Sequence, residues 1–236
     1  NKMAATHNWQ DLFNGLPPEH SNNSIQCYRA LALSKLGRVT DSVTLGTKLV
    51  NATKGGMNAP CTEVIGILHE AQVLDDAQLW ARIEQAMEEN QVTFAQAISR
   101  FLPIEKQLVV ERWAEVRRDP KTQVNKLLNT PDSPENRDLI VYGLRRMANK
   151  EWGNAQSLWQ QAQNTLPFTP AQHAKVESEL ALWEAFRHKP DALARLRAIP
   201  DSFRTPEANA WMVRIALREE SWQDVLSATA SMDAET

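Results

Sequence analysis

The sequence predicts an all-α protein, a superhelix or solenoid of about 13 to 14 helices stacked as antiparallel helical hairpins. Three observations predict this fold. Apolar residues recur at i, i+3 and i+4 through most of the 236 residues, and no segment shows convincing strand alternation. Only 8 glycines occur against 12 prolines, as expected for helices joined by short turns. The third observation is a repeat of helix starts in the second half of the chain.

The helices of the first half are predicted from apolar spacing and from breaks between the apolar runs. Gly37 suits a helix C-cap between a helix over 22–36 and one over 39–52. Further helices are predicted over 61–72, 75–89, 91–101, 104–118 and 120–128. Because no low-complexity linker divides the chain, we expect a single scaffold domain over residues 1–236.

The second half repeats one pattern of helix starts, Ser133-Pro134, Thr169-Pro170 and Thr205-Pro206, at a spacing of 36 residues in both cases. A Ser or Thr hydroxyl accepts the unpaired N–H groups at a helix start, and proline at the first helical position loses no hydrogen bond. Each start leads a long helix, a break and a second helix led by Trp152, Asp191 or Trp222. One such hairpin cannot bury its apolar face alone, so we expect neighbouring hairpins to stack.

The composition excludes several classes of partner. The 26 basic and 29 acidic residues are spread evenly, so no basic stripe argues for nucleic acid. The longest apolar runs, such as Leu139 to Tyr142, are far shorter than the roughly 20 residues of a membrane-spanning helix. The first residues, Asn1 to Thr6, do not form a signal peptide. We therefore expect neither a nucleic-acid partner nor a membrane span.

No complete catalytic site is predicted. The five histidines and two cysteines form neither an HExxH pattern nor a metal-binding cluster, and the chain has no GxSxG and no glycine-rich phosphate loop. We therefore predict no metal and no cofactor. The paired carboxylates at 75–76, 88–89 and 219–220 are interpreted as solvated charge. Glu177-Ser178 lies inside a predicted helix with no sign of a cleft around it.

Paired arginines are the remaining candidate binding residues. Arg195 and Arg197 stand out with them, and the substrate-contact candidates are Arg117, Arg118, Arg145, Arg146, Arg214 and Arg218. The favoured interpretation is solvated helix faces with local ion pairs. The alternative is a concave surface that contacts an acidic polymer through bidentate arginines. Seven tryptophans stand at helical core spacing, which favours packing between helices over a platform for stacking sugars.

The two cysteines, Cys27 and Cys61, allow two interpretations. They are either two buried thiols or one disulfide, which would imply an oxidising compartment. A disulfide would close a loop of 34 positions and contribute roughly 3–4 kcal/mol in the chain-entropy model.

Ordered motifs along the chain give it a family resemblance. They are Trp9-Gln10-Asp11-Leu12, Pro17-Pro18-Glu19, Gln26-Cys27-Tyr28, Ala30, Gly37, Leu49-Val50, Asn58-Ala59-Pro60-Cys61, Val64 to Leu68, Leu79 to Ile83, Ala86-Met87, Phe101-Leu102-Pro103, Trp211, Arg214, Ala216-Leu217 and Trp222. In this order the chain resembles the superhelical "doughnut" scaffold of the soluble lytic murein transglycosylases of Gram-negative bacteria. Residues 104–204 match more by helix pattern than by residue, and Asn90 stands where the family often has a glycine turn.

The resemblance implies a disulfide between Cys27 and Cys61 and a periplasmic location. It also implies a parent enzyme that cleaves the MurNAc–GlcNAc β-1,4 bond of peptidoglycan with one glutamate as acid and base. The family's catalytic signature (Glu-Ser, then Gly-Leu-Met-Gln and Ala-Tyr-Asn) is incomplete here, because Glu177-Ser178 has neither companion motif. We therefore expect a fragment whose catalytic domain lies C-terminal to it.

Two functional hypotheses follow. The first is a non-catalytic, monomeric scaffold segment of a peptidoglycan lytic transglycosylase, with peptidoglycan and its own catalytic domain as partners. The second is a stand-alone helical-repeat adaptor, similar to tetratricopeptide-repeat proteins, that binds proteins in its groove. The full open reading frame distinguishes them, because only the first requires the missing catalytic motifs downstream.

Overall fold

The structure, a computed structural model, describes residues 8–16, 22–52, 57–230 and 232. Within these ranges the chain forms fourteen α-helices, one short 3-10 helix and no strand. The predicted all-α fold is therefore confirmed. The Pro17-Pro18-Glu19 motif lies outside the described residues. The chain divides into two compact units, Asn1–Glu111 and Arg112–Thr236, called here the N-terminal and C-terminal units.

The N-terminal unit contains the first six helices and most of the seventh. They are α1 (Trp9–Gly15), α2 (Asn23–Lys35), α3 (Val39–Ala52), α4 (Ala59–Glu70), α5 (Asp76–Glu88), α6 (Val92–Ser99) and α7 (Ile104–Arg118). The predicted hairpin around Gly37 is present: Gly37 adopts φ +78° at the end of α2, and the N–H of Arg38 donates to the carbonyl of Leu33 at 2.9 Å.

The disulfide between Cys27 and Cys61 joins α2 to α4 in this unit. Both cysteines are buried with Ala30, Leu49 and Val64, so the bond lies inside an apolar cluster rather than on the surface. The resemblance implied this pairing, and the spacing alone left it open. The covalent link fixes two helices that the chain separates by 34 positions.

The C-terminal unit contains the rest of α7 and the remaining helices. They are α8 (Pro120–Leu128), α9 (Pro134–Lys150), α10 (Trp152–Thr165), α11 (Pro170–Phe186), α12 (Ala192–Ala198), a 3-10 helix (Asp201–Phe203), α13 (Pro206–Arg218) and α14 (Trp222–Ala230). The last six α-helices form three hairpins, α9–α10, α11–α12 and α13–α14. Each hairpin packs on the next, because α9 and α10 both contact α11, and α11 and α12 both contact α13.

The predicted helix starts of these hairpins have the expected geometry. The hydroxyls of Ser133, Thr169 and Thr205 accept the backbone N–H three residues later, at 3.1, 3.2 and 3.1 Å. The second helices are less regular: α12 begins at Ala192, and Asp191 makes no side-chain cap. The 36-residue repeat is therefore strictest in the first helix of each hairpin.

Close packing between helices depends on glycine at one position in particular. A Cβ on Gly143 in α9 would lie 2.4 Å from Cγ2 of Val124 and 2.9 Å from Cγ1 of Val116. Glycine therefore allows α9 to approach α8 and the end of α7 more closely than any other residue would.

The seven tryptophans predicted to pack between helices differ in how deeply they are buried. Trp113 and Trp159 are buried, Trp80, Trp152, Trp183 and Trp211 are half-buried, and Trp222 is 63% exposed. The expectation that all seven pack between helices is therefore wrong for Trp222, which lies at the start of the last described helix.

Candidate functional site

Aromatic and arginine side chains line the first helices of the three hairpins. Glu179 and Trp183 on α11 and Arg187, the C-cap of that helix, follow one another at i, i+4, so they lie along one face of it. The indole N–H of Trp183 donates to Glu179 at 2.9 Å, and the Arg187 guanidinium lies 5.1 Å from the Trp183 ring centroid. This face continues onto α9 and α13.

Ring and charge contacts connect the three helices. Trp183 and Phe186 on α11 meet edge to face at 4.9 Å, and Phe186 meets Trp211 of α13 at 4.9 Å in the same manner. On the other side, Nε of Arg145 in α9 lies 3.8 Å from Glu179. We call this surface the arginine–tryptophan strip; it comprises Arg145, Glu179, Trp183, Phe186, Arg187, Trp211, Arg214 and Arg218.

Arg214 and Arg218, like Arg187, are exposed cations of the strip. The Arg214 guanidinium lies 5.1 Å from the Trp211 ring centroid, and Nη1 of Arg218 lies 2.9 Å from Nδ1 of His188. A guanidinium stacked on an indole keeps its N–H edge available for two parallel hydrogen bonds to a carboxylate. The strip can therefore bind an anionic group beside a flat apolar surface.

The other predicted arginines lie elsewhere or serve packing. Nε of Arg146 donates to the backbone carbonyl of Arg117 at 3.1 Å, which ties α9 to the end of α7. Arg118 is exposed on the last turn of α7. The structure thus brings Arg145, Arg214 and Arg218 onto the strip and joins Arg117 to Arg146 at a different place. A role in substrate contact stays a prediction for all six.

Arg195 and Arg197 are held by acidic partners. Arg197 and Asp224 form a two-pronged ion pair between α12 and α14, and Ser221 donates to the same carboxylate. These hydrogen bonds, first that from Arg197, hold the pKa of Asp224 below its ordinary value. The pair therefore is a structural contact that joins the second hairpin to the third.

The Glu177-Ser178 pair, to which the sequence assigns no catalytic role, lies in contacts that hold helices together. Glu177 accepts a hydrogen bond from Nε of Arg195 at 2.7 Å and another from the indole N–H of the fully buried Trp159. Ser178 is itself buried, with 6% of its surface exposed. Glu177 thus links α10, α11 and α12.

A second carboxylate, that of Glu184, shares the same arginine. Its Oε1 lies 3.2 Å from Nη1 of Arg195, and its side chain is 9% exposed. Burial raises the pKa of Glu184, against the opposing charge of Arg195. A raised carboxyl pKa is a property of general acids, but here the group points at a structural arginine. Sequence spacing does not predict this cluster, because the two carboxylates lie on α11 and their common arginine lies on α12.

The N-terminal unit contains an open cleft of about 510 Å³ between the starts of α4 and α6. It is lined by neutral side chains: Met57, Asn58, Ala59, Thr62, Asn90, Gln91, Val92, Thr93, Phe94 and Ala97. Neither helix start is capped by a side chain. Among the residues that the structure describes, the lining contains no carboxylate and no cation.

Among the residues the structure describes, no three His, Cys, Asp or Glu side chains are grouped so that they could hold a metal ion. No described helix combines the length and the apolar character needed to cross a membrane.

The comparison with solved structures finds a similar fold. The fold is similar to that of lytic transglycosylase Slt from Pseudomonas aeruginosa, solved by X-ray crystallography as an inactive mutant, with a TM-score of 0.65 and 20% sequence identity. The match covers 99% of this chain and 38% of the transglycosylase chain. No protein-family model and no curated protein match the sequence. At this identity the similarity establishes a shared all-α, transglycosylase-like fold.

Proposed function

We propose that this chain is a non-catalytic helical scaffold segment of a periplasmic lytic transglycosylase that cleaves the MurNAc–GlcNAc β-1,4 bond of peptidoglycan. One observation carries the proposal: 99% of the chain superposes on part of a lytic transglycosylase with a TM-score of 0.65. The order of scaffold motifs along the sequence supports the same assignment independently of the fold.

The arginine–tryptophan strip is the surface that we assign to peptidoglycan. Glycan strands offer sugar rings, and their peptide stems offer carboxylates. Half-buried Trp183 and Trp211 provide flat apolar surface beside the exposed guanidinium of Arg214. Stacking plus bidentate pairing therefore matches both chemical features of the polymer.

The buried disulfide supports the proposed compartment. Disulfides persist in oxidising environments such as the bacterial periplasm and are rare in the cytosol. Cys27 and Cys61 are 0% and 2% exposed, so the bond is part of the core of the N-terminal unit. We further propose that the scaffold is monomeric and that its catalytic domain lies C-terminal in the same polypeptide.

Turbidity of a murein suspension tests the proposal. The 236-residue chain is expected to leave the suspension turbid, while the full polypeptide encoded by its gene clears it. Clearing by the 236-residue chain alone would place a catalytic site within it and refute the scaffold role. A full polypeptide without lytic activity, or a reading frame that lacks the transglycosylase motifs, would favour a protein-binding adaptor.

Co-sedimentation with purified sacculi tests the strip. The double variant Arg214→Ala/Arg218→Ala is expected to reduce binding at least about fivefold, as loss of two charge-assisted contacts implies. The matched control is Lys121→Ala/Lys126→Ala, which removes the same charge from two exposed positions of α8 in the same unit. Equal losses in both variants would show a general charge effect and refute the strip as a specific contact.

A further inference from the structure

The open cleft of the N-terminal unit has the size and the lining of a binding site for a small neutral molecule. Its volume of about 510 Å³ falls within the roughly 300–1,000 Å³ that is common for small-molecule sites. Five of its ten described lining residues are apolar, and the other five carry an amide or a hydroxyl group. A matching ligand therefore combines hydrogen-bonding groups with apolar surface and needs no charge.

The starts of α4 and α6 both line this cleft. Further along the two helices, a Cβ on Gly66 of α4 would lie 2.5 Å from the ring of Phe101, which follows α6 directly. The two helices therefore run in the same direction and stay in contact beyond the cleft. Neither Asn58 nor Gln91 caps its helix with its side chain. First-turn N–H groups and the positive ends of two helix dipoles thus favour an acceptor oxygen in the cleft.

A hydrogen-bond acceptor at the same place lacks a donor. Nε2 of Gln91 donates to Glu89 at 3.0 Å, whereas Oε1 of Gln91 is buried and has no donor among the described residues. A buried acceptor without a donor costs free energy, so a ligand N–H beside Gln91 would be favoured. Phe94 and Ala97 of α6 add apolar surface to the lining. The cleft thus offers donors, an acceptor and an apolar wall together.

We propose that this cleft binds the acetamido group of an N-acetylated amino sugar. Its carbonyl oxygen accepts from the first-turn N–H groups, its amide N–H donates to Oε1 of Gln91, and its methyl group packs against Phe94 and Ala97. The sugar hydroxyls, which both donate and accept, pair with the exposed side chains of Asn58 and Thr93. The inference rests on this lining and not on the proposed lytic function, and it concerns a different unit from that of the arginine–tryptophan strip.

An NMR titration of the 236-residue chain with tri-N-acetylchitotriose tests the inference. Cellotriose is the matched control ligand, because it has the same β-1,4-linked backbone with hydroxyl groups in place of the acetamido groups. The amide resonances of Thr93 and Phe94 are expected to shift saturably with tri-N-acetylchitotriose, and the affinity for cellotriose is expected to be at least about fivefold lower, as loss of the acetamido hydrogen bonds implies. Equal affinities for the two sugars, or no saturable shift with tri-N-acetylchitotriose, overturn the proposal. Saturation by sodium phosphate alone also overturns it, since the helix starts would then bind an anion.

Two variants of the cleft locate the binding site. Gln91→Leu removes the acceptor without a donor and is expected to weaken binding of tri-N-acetylchitotriose about threefold to tenfold. Ala97→Leu fills part of the cleft and is expected to weaken binding by at least as much. Gln85→Leu is the matched control, because Gln85 also donates to Glu89, at 2.9 Å, but does not line the cleft. Unchanged affinity in both cleft variants, or equal losses in Gln91→Leu and Gln85→Leu, overturns the proposal.

Discussion

Replacing Arg195 by alanine is expected to lower the free energy of unfolding of the C-terminal unit by about 2–4 kcal/mol. Arg195 lies 2.7 Å from Glu177 and 3.2 Å from Glu184, and the three side chains are 15%, 18% and 9% exposed. Each charge pair is worth about 4 kcal/mol of attraction at an effective dielectric constant of about 20, before desolvation is subtracted. The substitution leaves two carboxylates without their common cation.

The size of this loss depends on the carboxylates that remain without a cation. Removing one partner of a buried ion pair costs about 3–5 kcal/mol, because the other charge is stranded. The lower range applies here, since Glu177 keeps the hydrogen bond from Trp159 and Arg195 retains some contact with water. Glu184, the more deeply buried carboxylate, accounts for most of the loss.

The loss is expected to depend on pH. Burial raises the pKa of Glu184 above its value in the unfolded chain, so the folded state holds more protons between these two values. The free energy of unfolding therefore falls as the pH rises through that window. Alanine at position 195 removes the charge that lowers this pKa, so the window extends upward in the variant. At about pH 4.5 the variant is expected to regain part of the stability that it lacks at about pH 8.

Urea unfolding followed by circular dichroism at both pH values measures this effect. Arg38→Ala is the matched control, because its ion pair with Asp41 is 52% exposed on both sides and worth at most about 0.5 kcal/mol. In the double variant Arg195→Ala/Glu184→Gln, the loss of free energy of unfolding relative to the wild type is expected to be the same at both pH values. A loss no larger than that of Arg38→Ala, or an equal loss at both pH values, would refute the assignment of a buried charge cluster.

Three further predictions concern packing and caps. Replacing both Cys27 and Cys61 by serine is expected to lower the free energy of unfolding of the N-terminal unit by about 3–4 kcal/mol in the chain-entropy model; urea unfolding measures it, and an unchanged midpoint contradicts it. Gly143→Ala is expected to destabilise the protein by about 1–3 kcal/mol through overpacking. Gly153 has open space around it, so Gly153→Ala is expected to stabilise α10 by about 0.5–1 kcal/mol. Similar shifts of the melting temperature in both variants would argue against the close approach of α9 to α8. Thr205→Ala is expected to cost about 1 kcal/mol through loss of the N-cap, and Thr205→Ser, which keeps the hydroxyl, is expected to restore the melting temperature.

Local signals in the sequence predicted the helices well. The helices predicted over 104–118 and 120–128 match α7 and α8 residue for residue. The segment predicted over 61–72 begins two residues earlier and ends two residues earlier, because Pro60 takes an early helical position. Helix ends at Gln72, Asn90, His188 and Glu220 adopt positive φ without glycine. A search for glycine stops therefore misses them. Local hydrogen bonds close these helix ends instead, such as that from the N–H of Gln91 to the carbonyl of Ala86 at 2.7 Å.

The candidate site was less predictable, because it depends on contacts between helices. Arg145 and Arg146 are neighbours in sequence, yet one faces Glu179 on α11 and the other binds a backbone carbonyl at the end of α7. The sequence does contain one signal of the strip, the i, i+4 spacing of Glu179, Trp183 and Arg187. A search for pairs of adjacent arginines does not find this spacing. The pairing of Arg195 with two carboxylates, in contrast, requires knowledge of how α11 and α12 pack.

The packing of each hairpin mainly on its sequence neighbours has a kinetic consequence. Most tertiary contacts among the hairpins of the C-terminal unit join segments close in the chain, which corresponds to a low contact order and rapid folding. Any of its three hairpins can serve as the nucleus, with the structure then propagating to adjacent ones. The same one-dimensional coupling means that unfolding proceeds most easily from a hairpin with a single neighbour. In the 236-residue chain by itself, the pair α13–α14 should therefore be the first to open under mechanical load or limited proteolysis.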